Sequence, residues 1–197
     1  MGLRAENYNL YYTGQNQQGD IVYEDENLLN ELDLFPSINL IYGLKEMSNL
    51  RFSLSRTIAR PSFKEKSIAQ IFDPVTSTTF IGNIDILPTK ILNYDLRWEL
   101  FQENAQMYAI SLFYKDFTNP IELVVYNGAS PNDYTPKNVD EAKVYGIELE
   151  FRKNLEFISE SLSNFKLTFN TSIIRSEEIM DEKEYEGRTK SARSGEV

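Results

Sequence analysis

From Leu92 to Leu100 the even positions read Leu92, Tyr94, Leu96, Trp98 and Leu100, and the odd positions between them Asn93, Asp95, Arg97 and Glu99. Strict alternation of this kind is the mark of a β-strand with two unlike faces, and no helical spacing accommodates it. The same period recurs at Tyr108, Ile110, Leu112 and Tyr114, where Phe113 breaks the polarity of the second face. It recurs at Tyr145, Ile147, Leu149 and Phe151 against Gly146, Glu148, Glu150 and Arg152, at Phe165, Leu167 and Phe169, and at Leu50, Phe52 and Leu54 opposite Arg51, Ser53 and Ser55. The connections alternate in length. KEMSN, QENAQ and KNLEFISESLSN are short to moderate, whereas Thr13–Asp33, Arg60–Thr89, Asn127–Val139 and the stretch from Arg175 onward are long. An antiparallel up-and-down meander of about seven strands follows, with one tight end and one elaborate end. Because proline cannot donate to a ladder, Asn119-Pro120 predicts a bulge inside one long strand from Met107 to about Tyr126.

Composition closes other routes. The 197 residues contain neither His nor Cys, so catalytic triads that use them, Cys/His zinc cages, iron–sulfur clusters and disulfides are all excluded. A formal charge of -10 repels phosphate backbones, which argues against nucleic acid as a partner. No apolar run approaches the roughly 20 residues of a spanning helix, and no secretory leader is legible in MGLRAENYNLYYTG.

The faces then ask for different solvents. Burying Asp95, Arg97, Glu99, Glu148, Glu150 and Arg152 in a dry core would cost several kcal/mol per unpaired ion, so their face is wet. A soluble β-sandwich with the apolar stripes inward and a membrane barrel with those stripes toward lipid both meet this requirement. Apolar stripes of about nine residues suit a tilted bilayer-crossing strand. Aromatics near stripe ends (Tyr94, Trp98, Tyr108, Tyr114, Tyr145, Phe151) and long loops confined to one end are the further marks of a barrel.

SRTIARPSF, FIGNIDILPTKILNYDLRWELF, ISLFYKDFTNPIE and KVYGIELEFRKNL, in that order, resemble the C-terminal barrel strands of TonB-dependent outer-membrane receptors, particularly those of Bacteroidota-type bacteria. The resemblance runs from about Phe35 to Arg175 and departs from the family pattern at Gly82–Pro88. It implies a barrel of about 22 strands, filled by a separate plug domain, in the bacterial outer membrane. At about seven strands per 197 residues, closure needs roughly 600 residues. Residues 1–197 are therefore expected to be a partial barrel domain without the plug, the TonB-contacting segment, the signal peptide and the remaining strands. The resemblance places Arg51, Asn93, Asp95, Arg97, Glu99, Glu148, Glu150 and Arg152 toward the lumen. It places Leu92, Tyr94, Leu96, Trp98, Leu100, Tyr145, Ile147, Leu149 and Phe151 toward lipid. Its partners are outer-membrane lipid, the plug, TonB and a small-molecule or glycan ligand, and its function is active uptake of a scarce nutrient such as an iron chelate, a cobalamin or a glycan. A passive porin or adhesin and the soluble sandwich are the alternatives.

Smaller features suggest chemistry without securing it. The carboxylates of Glu148 and Glu150, or of Asp95 and Glu99, have a spacing that glycoside hydrolysis can use, but on a hydrated wall nothing desolvates them. Asp25, Glu26, Glu178 and Asp181 sit in acidic stretches that lack calcium-loop spacing. Arg60, before Pro61, reads as a strand terminator with a lumen-facing cation or as a ligand-facing guanidinium. Phe72, Phe80, Tyr126 and Tyr134 suit either loop packing or stacking on a ligand. No catalytic, cofactor or metal set emerges, and no ligand-contacting residue is assigned. On this reading Leu96→Arg near the bilayer midplane costs about 2 to 4 kcal/mol and Arg97→Leu far less.

An open sheet with two unpaired edges and an uncovered apolar face associates. Size-exclusion chromatography of the isolated 197-residue chain without detergent should therefore give aggregates, and a sharp monomeric peak with cooperative melting would favour the sandwich.

Overall fold

The computed structural model describes residues 1–104, 106–126 and 133–178. The alternating segments pair into one seven-stranded sheet formed by β1 (Gly2–Gln15), β2 (Val22–Lys45), β3 (Ser48–Ala59), β6 (Thr89–Gln102), β7 (Gln106–Thr118), β10 (Glu141–Asn154) and β11 (Lys166–Glu178). Each strand of this sheet is antiparallel to its neighbours, in the order β1-β2-β3-β6-β7-β10-β11. The meander expected from the sequence is therefore present. Neighbours in the sheet are neighbours in sequence except where β4 (Gln70–Asp73), β5 (Thr78–Ile81), β8 (Ile121–Val125) and β9 (Asp133–Asn138) intervene. Those four make a second sheet, ordered β4-β5-β9-β8, with β5 parallel to β9.

Register keeps like with like. Leu40, Phe52, Leu96, Leu112, Ile147 and Ile173 face one another in a continuous row, followed by Leu50, Trp98, Ile110 and Leu149 in the next row on the same face. Tyr94, Tyr114 and Tyr145 form an aromatic row toward the long-loop end, with ring centroids 6.0 and 6.4 Å apart. Toward the short-turn end Tyr108 meets Phe151 edge-on at 5.4 Å. Leu92 to Leu100 spans about 26 Å along the strand, or about 20 Å at a barrel tilt, close to the height of a lipid-facing band. These side chains lie uncovered: Leu96 is 39% and Leu112 47% exposed.

Phe113, the apolar intruder on the charged face, has a partner. It sits opposite Gly146, and a Cβ added at Gly146 would stand 2.8 Å from the Phe113 ring and 2.5 Å from the Ile173 carbonyl oxygen. The ring covers a bare stretch of backbone that has no side chain of its own, the cross-strand rescue of a glycine by an aromatic.

Several loop expectations are corrected. Thr13–Asp33 is mostly ladder, since β1 and β2 continue as a hairpin to Gln15 and Val22. Only Asn16–Ile21 turns, where Asn16 Oδ1 accepts from the backbone N–H groups of Asp20 and Ile21. The long strand predicted from Met107 to Tyr126 does not exist as one element. Asn119 takes a left-handed φ of 54°, and with Pro120 it ends β7 in the large sheet and starts β8 in the small one. Arg60–Thr89 contains the β4–β5 hairpin, and Asn127–Val139 contains β9. β11 continues past Arg175 to Glu178, and the connection after Asn154 holds two 3-10 turns, Leu155–Phe157 and Glu160–Leu162.

Gly146→Ala should destabilise the folded barrel by about 1 to 3 kcal/mol because backbone has to move. At Gly43 a Cβ would meet nothing nearer than 4.0 Å, so Gly43→Ala should stay within about 0.5 kcal/mol. Urea unfolding of both variants in lipid vesicles makes the comparison.

Candidate functional site

The face opposite the apolar rows carries charge in the middle of its strands, and register brings those charges together. Arg51 lies directly opposite Arg97, a like-charge pair that is unfavourable by itself. Glu99, one pleat along β6, resolves it. Its Oε2 accepts from Arg51 Nε at 2.7 Å and its Oε1 from Arg97 Nε at 2.7 Å. Arg97 then reaches across β7, donating to Ser111 Oγ at 2.9 Å and to Glu150 Oε2 on β10 at 2.9 Å. Arg152 completes the chain at 3.6 Å from Glu150. Charges alternate along Arg51, Glu99, Arg97, Glu150 and Arg152.

The span across β7 depends on small residues. Ala109 lies between Glu99 and Glu150 in the register, and Ser111 between Arg97 and Glu148. A larger side chain at either position would block the guanidinium. Ala109 is 2% exposed and Glu99 6%, so the network seals the middle of the wall while Arg51 keeps 46% of its side chain in solvent.

A second cluster lies nearer the long-loop end. Glu6 on β1 and Asp33 on β2 are directly opposite, again like charges. Arg60, the residue after β3, sits between them with one amino nitrogen 2.9 Å from Glu6 and the other 3.0 Å from Asp33. Its guanidinium lies 4.6 Å over the Tyr8 ring, and Arg4 adds a contact to Glu6 at 3.1 Å. Arg60 is thus both a strand terminator and a clamp.

The predicted positions distribute as follows. Arg51, Arg97, Glu99, Glu150 and Arg152 are gathered into one network. Asn93, Asp95 and Glu148 share their face by parity; Asn93 donates to Ser55 O and Thr57 Oγ1, while Asp95 and Glu148 stand outside the Arg–Glu chain. Leu92, Tyr94, Leu96, Trp98, Leu100, Tyr145, Ile147, Leu149 and Phe151 all project from the opposite face. Of the loop aromatics, Phe80 is buried against Tyr134 at 5.7 Å with Lys64 over its ring, whereas Phe72 and Tyr126 are exposed. Asp25 has a left-handed φ of 54° and donates its backbone N–H to Thr13 Oγ1. Among the described residues no group of three or more carboxylates is arranged to hold a metal ion, and Asp181 lies outside those residues.

Sequence inspection misses the residues that organise the loop end. Lys66, 2% exposed, donates to the carbonyls of Ile84 and Ile86 at 2.7 and 2.8 Å. Burial lowers its pKa below the ordinary lysine value, against the opposing pull of Asp85 and Glu31. Asn138 accepts from Leu87 N–H and donates to the carbonyls of Leu87 and Asn119, and Asn83 donates to Pro136 O. Gly82 allows the close approach of the preceding loop, since a Cβ there would stand 2.4 Å from Ser67 O. Nothing in one-dimensional spacing announces such long-range amide bonds.

A family model described as TonB dependent receptor-like, beta-barrel matches residues 1–190. The chain belongs to the TonB-dependent receptor β-barrel family. Solved structures similar in fold include the siderophore receptor PirA from Pseudomonas aeruginosa, 17% identical with a TM-score of 0.63, over 75% of this chain and 29% of that one. The ferric enterobactin receptor PfeA from Pseudomonas aeruginosa is 20% identical with a TM-score of 0.55, over 73% of this chain and 22% of that one. The hemophore receptor HasR of Serratia marcescens, solved with its hemophore HasA and heme, is 11% identical with a TM-score of 0.51, over 91% of this chain and 37% of that one. This TonB-dependent receptor barrel chain therefore spans between about a fifth and two-fifths of the receptors it matches. No curated protein sequence matches it. The family and the structural neighbours are receptors, not enzymes, and barrels of this family are outer-membrane proteins.

The ion network revises one energetic expectation. Arg97→Leu is not mild, because it strips a shared partner from Glu99 and Glu150 and leaves Ser111 unpaired. The cost should be on the order of 1 to 3 kcal/mol, approaching that of Leu96→Arg. A double-mutant cycle of Arg97→Leu with Glu150→Gln, read by urea unfolding in vesicles, should show coupling above about 0.5 kcal/mol; additivity would mean that the two charges do not act on one another.

Proposed function

We propose that this chain forms part of the wall of a bacterial outer-membrane receptor that takes up an iron chelate of the siderophore or haem class, with energy relayed through TonB to a plug inside the barrel. The observation that carries the reading is the continuous Arg51–Glu99–Arg97–Glu150–Arg152 chain on one face of a sheet whose other face is apolar. A wall with ions at mid-strand needs an aqueous lumen, and a lumen of about 22 strands leaks unless something fills it. On this reading the charged face is luminal and the apolar face meets lipid. The plug and the TonB-contacting segment belong to the same receptor outside residues 1–197, and the Bacteroidota-type strand motifs indicate its origin.

The choice of an iron chelate draws on the neighbours, which are siderophore, ferric enterobactin and hemophore receptors. The loops between β3 and β6 and between β7 and β10 stand at the end where ligand enters. They present Phe72 and Tyr126 to solvent, at 62% and 40% exposure, as stacking surfaces for a flat or aromatic ligand.

Uptake of radiolabelled ferric siderophore and of haem by cells carrying the complete receptor, with and without TonB, tests the reading. Accumulation should fall to background when TonB is removed. Undiminished uptake would identify a passive barrel, and TonB-dependent uptake of cobalamin or a glycan in place of either iron source would overturn the assigned ligand class.

A further inference from the structure

The apolar face is not flat between Trp98 and Tyr108. Trp98 is drawn toward β3, where its indole N–H donates to Ser48 Oγ at 3.0 Å. Tyr108 is drawn toward β10, edge-on to Phe151. Between the diverging rings lies a groove of about 380 Å³, lined by Leu100, Ile110 and Leu149 with Gln102 at its short-turn end. Its size falls within the range of small-molecule sites.

A cation stands at that same end. Lys153 is in register with Leu167 and shares the parity of Leu149 and Phe151, so it projects from the apolar face. Its Nζ lies 5.9 Å from the Tyr108 ring centroid and 5.8 Å from that of Phe157. Among the described residues it has no carboxylate partner, in a chain of net charge -10. Phe157 and Ile158, just beyond the strand, are 68% and 64% exposed, the placement of residues that enter the interfacial layer.

We propose that this groove binds one glycerophospholipid of the periplasmic leaflet, with an acyl chain along Leu100, Ile110 and Leu149 and the phosphate held by Lys153. The inference rests on the outward assignment of the apolar face. Short turns mark the periplasmic end of such barrels, and Gln102 and Tyr108 carry the lining of the groove to the β6–β7 turn at that end. A headgroup phosphate at that depth meets the Lys153 cation beside Tyr108, a ring that lines the groove, and a hydrocarbon chain fills an apolar trough that a flat row of side chains would not offer. Anionic lipid is the chemistry that an unpaired lysine at the interface selects.

The test uses the complete receptor, extracted in mild detergent, equilibrated with dioleoyl phosphatidylglycerol and examined by native mass spectrometry. Lys153→Gln removes the cation, Ile110→Trp fills the groove and leaves the cation, and Lys153→Arg keeps the charge. Fractionation with the outer membrane and heat-modifiable mobility establish that each variant is inserted and folded. The wild type and Lys153→Arg should each retain one lipid adduct, and Lys153→Gln and Ile110→Trp should each lose it by about fivefold or more. An inserted barrel whose adduct is undiminished in either of those two variants overturns the proposal. Wild-type receptor that does not fractionate with the outer membrane would overturn the outward assignment on which the proposal rests.

Discussion

The strands at the centre of the large sheet carry hydrocarbon-like side chains on one face, and on the other β3, β6 and β10 carry ions and β7 small side chains that let them meet; this two-solvent condition governs everything else. Backbone groups cannot be left unpaired next to lipid, so the strands run in long antiparallel ladders whose register shifts fall near strand ends, at Leu10–Gly14 in β1 and Gly43–Lys45 in β2. A slip of one residue would exchange the faces entirely, placing Arg97 where Leu96 now stands. Register is therefore fixed many times over, by every strand that carries the pattern. The small sheet, which lies outside this condition, is free to mix parallel and antiparallel pairs and uses strands of only four to six residues.

Placing ions within a sheet brings its own difficulty, because register aligns like charges as readily as unlike ones. Arg51 faces Arg97 and Glu6 faces Asp33. In both places the protein inserts an opposite charge from a neighbouring position, Glu99 in one and Arg60 in the other. The result is a crosswise brace: side chains on one face join β3 to β6 and, across the intervening β7, β6 to β10, in addition to the backbone bonds between adjacent strands. That brace is available only because β7 offers Ala109 and Ser111 where it must be crossed.

The legible part of this architecture is the part that repeats every two residues. Leu92–Leu100 announces its strand, its faces and the wetness of one of them without help from any other segment. Asn119-Pro120 announces an interruption but not its kind, since a bulge and a change of sheet share the same residues. The strand β9 lies among Asn, Pro and Lys residues that resemble a loop and is made a strand by pairing with β8 and β5. The Thr13–Asp33 hairpin is polar on both faces over part of its length, so alternation fades there although the ladder continues, through two register shifts, to Gln15 and Val22. Arg60 meets Glu6 and Asp33 through the register of β1 and β2, and Lys66 meets Ile84 and Ile86 through the fold of the connection between β3 and β6, so a sequence pattern has no access to either until the three-dimensional arrangement is known.

The parallel pair between β5 and β9 joins Thr79 to Asp133 and Phe80 to Tyr134, and so ties the excursion that follows β3 to the one that follows β7. Surface loops ordinarily gain and lose residues independently, which is how a common scaffold acquires new recognition surfaces. Here an insertion in one excursion shifts the edge on which the other is built. The two excursions are thereby coupled through their backbones, and the surface they build together changes most readily by side chains replaced in place on a shared platform, without the lengthening of either loop alone.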